Sequence, residues 1–119
     1  MSVDAIGYVN AHGTGTPLND PAECTAIRGV FGDRAVAVSS IKGAVGHLMA
    51  AAGAIELAAS LLAFERQLLP GTANLVERDP ECDVDVIGPM PRRAEIGALL
   101  SNSFGFGGQN ASLVVGRPA

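Results

Sequence analysis

Ile6-Gly7-Tyr8-Val9-Asn10-Ala11-His12-Gly13 opens on a short apolar run and stops at a histidine–glycine pair, and Pro17-Leu18-Asn19-Asp20-Pro21 follows at once. Tyr8 and Val9 favour extended backbone while Gly13 and Pro17 interrupt it, so a strand over residues 6–11 gives way to a loop. Asp20 is the expected N-cap of a helix, with Pro21 at the first helical position, where the missing N–H is harmless. That helix should run to Phe31 and end at Gly32. A second strand is expected over Ala35–Ser40, where valines alternate with small residues. Strand, helix and strand in this order predict an α/β fold, because parallel strands need a crossover connection.

Outward from this unit, Lys42-Gly43 is a connector and a long helix is expected from about Val45 to Gln67. Leu68–Leu75 should return as an extended segment, broken by Pro70 and Gly71. Residues 76–93 carry Glu77-Arg78-Asp79-Pro80-Glu81 and read as a surface excursion with one short strand at Val84–Val86. Ile96–Asn102 and Ala111–Val115 form two further strands joined by the turn at Gly105–Gly108, a hairpin pattern. The predicted sheet is mixed and mostly parallel, with an antiparallel edge. Its Ala- and Gly-rich long helix is expected to be buried on several sides, which a chain of 119 residues does not easily arrange. The chain therefore reads as half of a larger layered fold.

Composition narrows the function. Apolar residues make up 48% and charged residues 17%, the balance of a folded segment. Net charge is -4 and the eight Lys and Arg are scattered, which argues against nucleic-acid binding because that needs a concentrated cationic stripe. Cys24 and Cys82 lack the spacing of a zinc or redox motif. The start Met1-Ser2-Val3-Asp4-Ala5 lacks a signal-peptide pattern, so the cytoplasm is the expected compartment. Ala44–Phe64 carries the single charge Glu56 and is read as a core helix, not a membrane span. His12-Gly13-Thr14-Gly15-Thr16 lacks the ending of a P-loop, and Gly105-Phe106-Gly107-Gly108 opens no helix, so a nucleotide site is not expected.

Reactive groups in open α/β sheets collect at the carboxyl ends of strands. His12 follows the first strand, Lys42 follows the second, and His47 falls in the first turn of the expected long helix. The positive end of that helix would favour a neutral imidazole at His47. Two neutral imidazoles aimed at one oxygen would stabilise an enolate or a tetrahedral intermediate. Either histidine alone could equally be a turn or core residue; the two together with Lys42 favour catalysis. Glu56, in the middle of an apolar helix, needs a cation or several donors if buried. Lys42 and a bound metal cation are both candidates, and a solvated position on a partly exposed face is the alternative.

Three motifs in order now carry a resemblance: Val9-Asn10-Ala11-His12-Gly13-Thr14-Gly15-Thr16, Ser40-Ile41-Lys42-Gly43-Ala44-Val45-Gly46-His47, and Ser101-Asn102-Ser103-Phe104-Gly105-Phe106-Gly107-Gly108-Gln109-Asn110. Over nearly its whole length the chain resembles the carboxyl-terminal region of β-ketoacyl-acyl-carrier-protein synthases, the type I and II elongating enzymes and related polyketide ketosynthases. The resemblance implies a thiolase-like fold, one βαβαββ half of a subunit that dimerises. It implies decarboxylative Claisen condensation of an acyl thioester with malonyl thioester, the phosphopantetheine arriving on acyl carrier protein and no cofactor being required. By that likeness His12 and His47 bind the thioester oxygen, Lys42 supports the electrostatics, and Thr14 and Thr16 hold the phosphopantetheine arm. Phe106, flanked by Gly105 and Gly107, matches an aromatic gate. Asn10, Glu56, Ser101 and Asn102 match a buried site that in some members holds a monovalent cation, and Asp20 matches a structural acidic residue.

The family's cysteine nucleophile belongs to an amino-terminal half, and neither Cys24 nor Cys82 fits its context. The chain should thus be inactive alone, completed by that half from the same or another chain as a homo- or heterodimer. Two rivals remain open: a non-catalytic chain-length-type partner subunit, which usually loses the catalytic residues kept here, and a thiolase-type acyltransferase, which generally uses one histidine and a second cysteine.

Overall fold

The computed structural model describes residues 1–117. Its elements in chain order are β1 (Ile6–Asn10), α1 (Asn19–Phe31), β2 (Ala37–Ser39), α2 (Lys42–Val45), α3 (Ala52–Arg66), β3 (Leu68–Leu69), β4 (Asp85–Val86), β5 (Arg92–Arg93), β6 (Ala98–Phe104) and β7 (Asn110–Gly116). Five strands form one sheet in the order β4-β2-β1-β6-β7. β1 pairs in parallel with both β2 and β6, β2 pairs in parallel with β4, and only β7 runs antiparallel, against β6. The mixed, mostly parallel sheet with an antiparallel edge hairpin is the expected one. Leu68–Leu69 and Arg92–Arg93 make a separate antiparallel pair, a small sheet that the proline-rich sequence around Arg92 concealed.

β1 occupies the centre because both of its faces can be covered. Successive side chains of a strand point to opposite sides. Val9 packs with Ile27 and Phe31 of α1 and with Val38 of β2. Tyr8 points the other way, to Leu69, Ile87, Ile96 and Leu99, with Phe64 of α3 against them. Gly7 lets the next segment close in, since a Cβ there would lie 2.6 Å from Ile96 Cγ2. Tyr8 is fully buried, and its hydroxyl is satisfied by Ser39 Oγ at 2.8 Å. Burial pushes its phenol well above the usual range.

Two helix boundaries differ from the sequence reading. α1 starts at Asn19, with Leu18 at the cap position, so Asp20 is not an N-cap and Pro21 lies within the first turn. The Asp20 carboxylate instead turns back to accept the Gly15 N–H, at 3.1 Å to each oxygen. The long helix is also interrupted. α2 is a single turn ended by Gly46 at φ 79, and α3 begins only after a 3-10 turn over Met49–Ala51, whose Met49 has φ 53. Positive φ cannot continue a right-handed helix, so His47 lies in an irregular connector and not in a helix first turn.

α3 buries Ala52, Glu56, Ser60 and Ala63, a single stripe at helical spacing. Its expected burial on several sides is realised only along that stripe. Ile55, Leu61 and Leu62 remain exposed on its other faces, as do Leu113 and Val114 on β7.

Leu99 is inaccessible at the centre of the core on the α3 side. Leu99→Ala should lower the unfolding free energy by about 2–5 kcal/mol, the usual cost of deleting a buried leucine. Chemical denaturation measures it, and a loss below about 1 kcal/mol would contradict this core.

Candidate active site

The turn after β1 is built around one carboxylate. The backbone N–H groups of His12 and Gly13 donate to Glu23 Oε1 and Oε2, each at 2.9 Å. Asn102 Nδ2 of β6 donates to the same Oε1 at 3.0 Å, and Ser112 Oγ of β7 donates to Asn102 Oδ1 at 2.7 Å. Gly13 has φ +40, and a Cβ on it would lie 2.5 Å from the Ser40 Cβ. Its carbonyl accepts from Ser40 Oγ at 2.8 Å. Only glycine permits both that dihedral and that approach. Glu23 was missed in the sequence, although Glu23, Ile27 and Phe31 share one buried stripe of α1; a carboxylate in phase with core residues is the signal that could have found it.

His12 is thereby held at the end of β1, with its ring 5.6 Å from that of His47, centroid to centroid, and the planes at 82°. Phe104 closes a second side of His12, at 5.4 Å. Met49 N–H donates to His47 Nδ1 at 3.1 Å. That bond needs a lone pair on Nδ1, which leaves the ring proton on Nε2 as a donor. The expected helix end thus acts through a backbone N–H and not through the position of His47 within a helix.

His12 is buried, and burial lowers its pKa from the ordinary 6.5, with the Lys42 cation adding to the effect. Glu23 and Glu56 oppose it more weakly. Lys42 and Glu56 are both buried and form an ion pair between Nζ and Oε1. This is one of the two cations considered for Glu56, and it rules out the solvated alternative.

The other residues singled out from the sequence fall as follows. Thr14 and Thr16 join their hydroxyls at 2.9 Å and, with Gly15, Asp20, Lys42 and His47, line a cavity of about 520 Å³. Phe106, between Gly105 and Gly107 at the tip of the β6–β7 turn, is 93% exposed. Asn10 Nδ2 donates to Ser101 Oγ at 3.1 Å. Asn10 Oδ1 and Glu56 Oε2 are buried oxygens without a hydrogen-bond partner, whereas both polar atoms of the Asn102 side chain are engaged by Glu23 and Ser112. No cluster of three or more His, Cys, Asp or Glu side chains suited to a metal occurs among the described residues.

Residues 1–76 match the family model for the carboxyl-terminal domain of β-ketoacyl synthases. The chain belongs to the β-ketoacyl synthase family. It is 47% identical, over 98% of its length, to 3-oxoacyl-[acyl-carrier-protein] synthase 2 of Coxiella burnetii, of which it covers 29%. The ishigamide ketosynthase/chain length factor superposes with a TM-score of 0.95 at 37% identity, over 100% of this chain and 30% of that one. A type II polyketide-synthase acyl-carrier protein complex with its ketosynthase superposes at 0.92 and 37% identity, over 96% of this chain and 28% of that one. The fold is therefore that of the ketosynthases, the thiolase-like class expected. The chain spans under a third of the length of these relatives.

The lowered pKa of His12 fixes a sign. Unfolded chain takes up a proton near pH 6.5, while the folded ring resists it. The neutral burial is therefore without cost above pH 6.5, and stability falls as the pH drops below 6.5 towards the folded value. In a histidine NMR titration the His12 midpoint should lie on the acid side of 6.5; a midpoint above it would contradict the site.

Proposed function

We propose that residues 1–119 are the carboxyl-terminal ketosynthase domain of a β-ketoacyl-acyl-carrier-protein synthase, an acyltransferase of fatty-acid or polyketide biosynthesis. The complete enzyme joins an acyl thioester to malonyl-acyl-carrier protein with loss of carbon dioxide. The observation that carries this reading is the edge-to-face approach of His12 and His47 at 5.6 Å, one from the loop after β1 and the other from the connector between α2 and α3.

In this reading both imidazoles act as neutral N–H donors to the malonyl thioester oxygen. The bond from the malonyl α-carbon to its carboxylate breaks, carbon dioxide leaves, and the electron pair passes through the α-carbon to that oxygen as an enolate. Donors placed in advance of this charge stabilise it more than the ground state. The enolate carbon then attacks the acyl thioester held on a cysteine of the amino-terminal half, and the cysteine thiolate is released. Burial and Lys42 together keep His12 neutral, the form in which it can serve as a donor without carrying a competing charge.

Thr14 and Thr16 are proposed to bind the phosphopantetheine arm of the carrier protein, a role supported by their place in the cavity wall beside His47. The exposure of Phe106 suits a gate between the acyl and malonyl sites. Asn10 and Glu56, each with an unpaired buried oxygen, would contribute to a monovalent-cation site with Ser101 and Asn102. Such an ion would neutralise charge behind Lys42 and take no part in bond making. The Asn102 side chain donates one bond to Glu23 and accepts one from Ser112, which leaves its role in that set to the backbone.

The partners proposed are acyl carrier protein, the amino-terminal half and a dimeric mate. Exposed Ile55, Leu61 and Leu62 on α3, and Leu113 and Val114 on β7, suit contact with that half. No helix among the described residues is long and apolar enough to cross a membrane, and a cytoplasmic location is proposed. His12, Lys42 and His47 together favour a catalytic domain over a chain-length-type partner.

Without the amino-terminal half, the chain should accept no acyl group from acyl carrier protein or acyl-coenzyme A. Joined to that half, it should release carbon dioxide from malonyl-acyl-carrier protein, and His12→Ala and His47→Ala should each slow that release by about 10²–10³-fold, the usual cost of an oxyanion donor. Undiminished release in both variants, followed with labelled malonyl carboxylate, would overturn the assignment.

A further inference from the structure

Two thiols stand outside the chemistry described so far. Cys24 lies on α1 beside Glu23, and Cys82 lies in the turn that precedes β4. Both are free, and both line the same cavity of about 520 Å³. The fold fixes this meeting from both sides. One helical turn beyond Cys24, the Arg28 guanidinium binds the carbonyl and carboxylate of Asp83 at 3.3 and 2.8 Å. Cys82 is itself pinned, its N–H donating to the Asp79 carbonyl at 3.0 Å and its carbonyl accepting from Val84 N–H at 2.9 Å.

The two sulfurs are not equivalent. Cys24 is buried, and burial, with nearby carboxylates adding to it, pushes its thiol up to about 12. Cys82 is half-buried. Burial raises its pKa too, with nearby acidic groups adding to it. Cys82 is thus the sulfur that a reagent reaches first.

We propose that Cys24 and Cys82 form a thiol pair that a small-molecule disulfide converts reversibly into an intramolecular disulfide, Cys82 attacking and Cys24 resolving. In the first step Cys82 loses its proton and attacks one sulfur of the reagent. The reagent's S–S bond breaks, and one reagent thiol leaves with a proton. In the second step Cys24 loses its proton and attacks the Cys82 sulfur of the mixed disulfide, releasing the second reagent thiol. Two protein thiols are oxidised by two electrons and one disulfide is reduced to two thiols, so the exchange balances. The new bond would tie the excursion of residues 76–84 to the helix that carries Glu23.

The test is exposure of the intact protein that carries this chain to glutathione disulfide, with peptide mapping by mass spectrometry under non-reducing conditions. A peptide joining Cys24 to Cys82, lighter by two hydrogens than its two parts and separated again by dithiothreitol, is expected. Its rate of formation should rise about tenfold per pH unit around neutrality, as the thiolate fraction does. Cys24→Ser should leave glutathione held on Cys82, and Cys82→Ser should slow modification of Cys24 at least tenfold. The wild-type map alone can refute the proposal, whatever the folding of the variants: glutathione held stably on both cysteines, or neither cysteine modified, overturns it. So does equal reactivity of Cys24 with and without Cys82. The readout requires no condensing activity, so it stands or falls separately from the catalytic reading.

Discussion

The His12 turn depends on one buried carboxylate. Glu23 accepts from the backbone of His12 and Gly13 and from Asn102, and so joins α1, the end of β1 and β6 at one point. A buried carboxylate is tolerable only when its oxygens are met by donors, and three N–H donors around Glu23 meet that condition. A charge-assisted bond contributes about 1.5–3 kcal/mol, so moving the His12 turn away from Glu23 would forfeit several such bonds at once. The constraint is one-sided: the turn can form only where Gly13 takes φ +40 against Ser40. Position at His12 is therefore bought with backbone bonds, not with contacts to the imidazole itself.

A second buried charge works from the opposite face of the sheet. Asn10 and Ser101 face α3, while Asn102, one residue on, faces α1 and Glu23, as strand alternation requires. Lys42 and Glu56 pair on the α3 side. Such a pair adds little net stability once desolvation is counted, yet losing one partner strands the other, at a cost of about 3–5 kcal/mol. Its value here lies in placing a fixed positive charge near His12, where it disfavours protonation of the ring. The two carboxylates thus do different work: Glu23 positions the backbone of the His12 turn, and Glu56 positions the cation that disfavours protonation of the ring.

Much of this was legible in the sequence because the relevant signals are local. Apolar β1 and β2, broken by His12-Gly13 and Lys42-Gly43, predicted strands with polar groups at their ends, and the glycines of 105–108 predicted the hairpin turn, where Gly107 and Gly108 both take φ +81. The α3 break was not legible. Gly46 and Met49 sit within an unbroken Ala-rich apolar run whose composition favours helix, and only the need to bring His47 beside His12 shows why it is interrupted. Asp20 failed as a cap for a similar reason: a residue suited to capping found better donors at Gly15. Glu23 and the β3–β5 pair depend on contacts between distant segments, which no local pattern carries.

The interrupted helix and the ring geometry are one solution to a single problem. A continuous helix would carry His47 on a fixed cylinder, its backbone N–H groups spent along the axis. Ending α2 at Gly46 and restarting at Met49 frees the Met49 N–H to hold His47 Nδ1, which leaves Nε2–H available. At His12 the same end is reached by burial and by Lys42 instead of by a backbone donor. Two neutral rings prepared by different means can stand this close without mutual charge repulsion, whereas two imidazolium ions at 5.6 Å would repel each other strongly in a partly dry site. The closeness of the rings comes from the loop after β1, anchored by Glu23, and from the connector after α2, broken at Gly46.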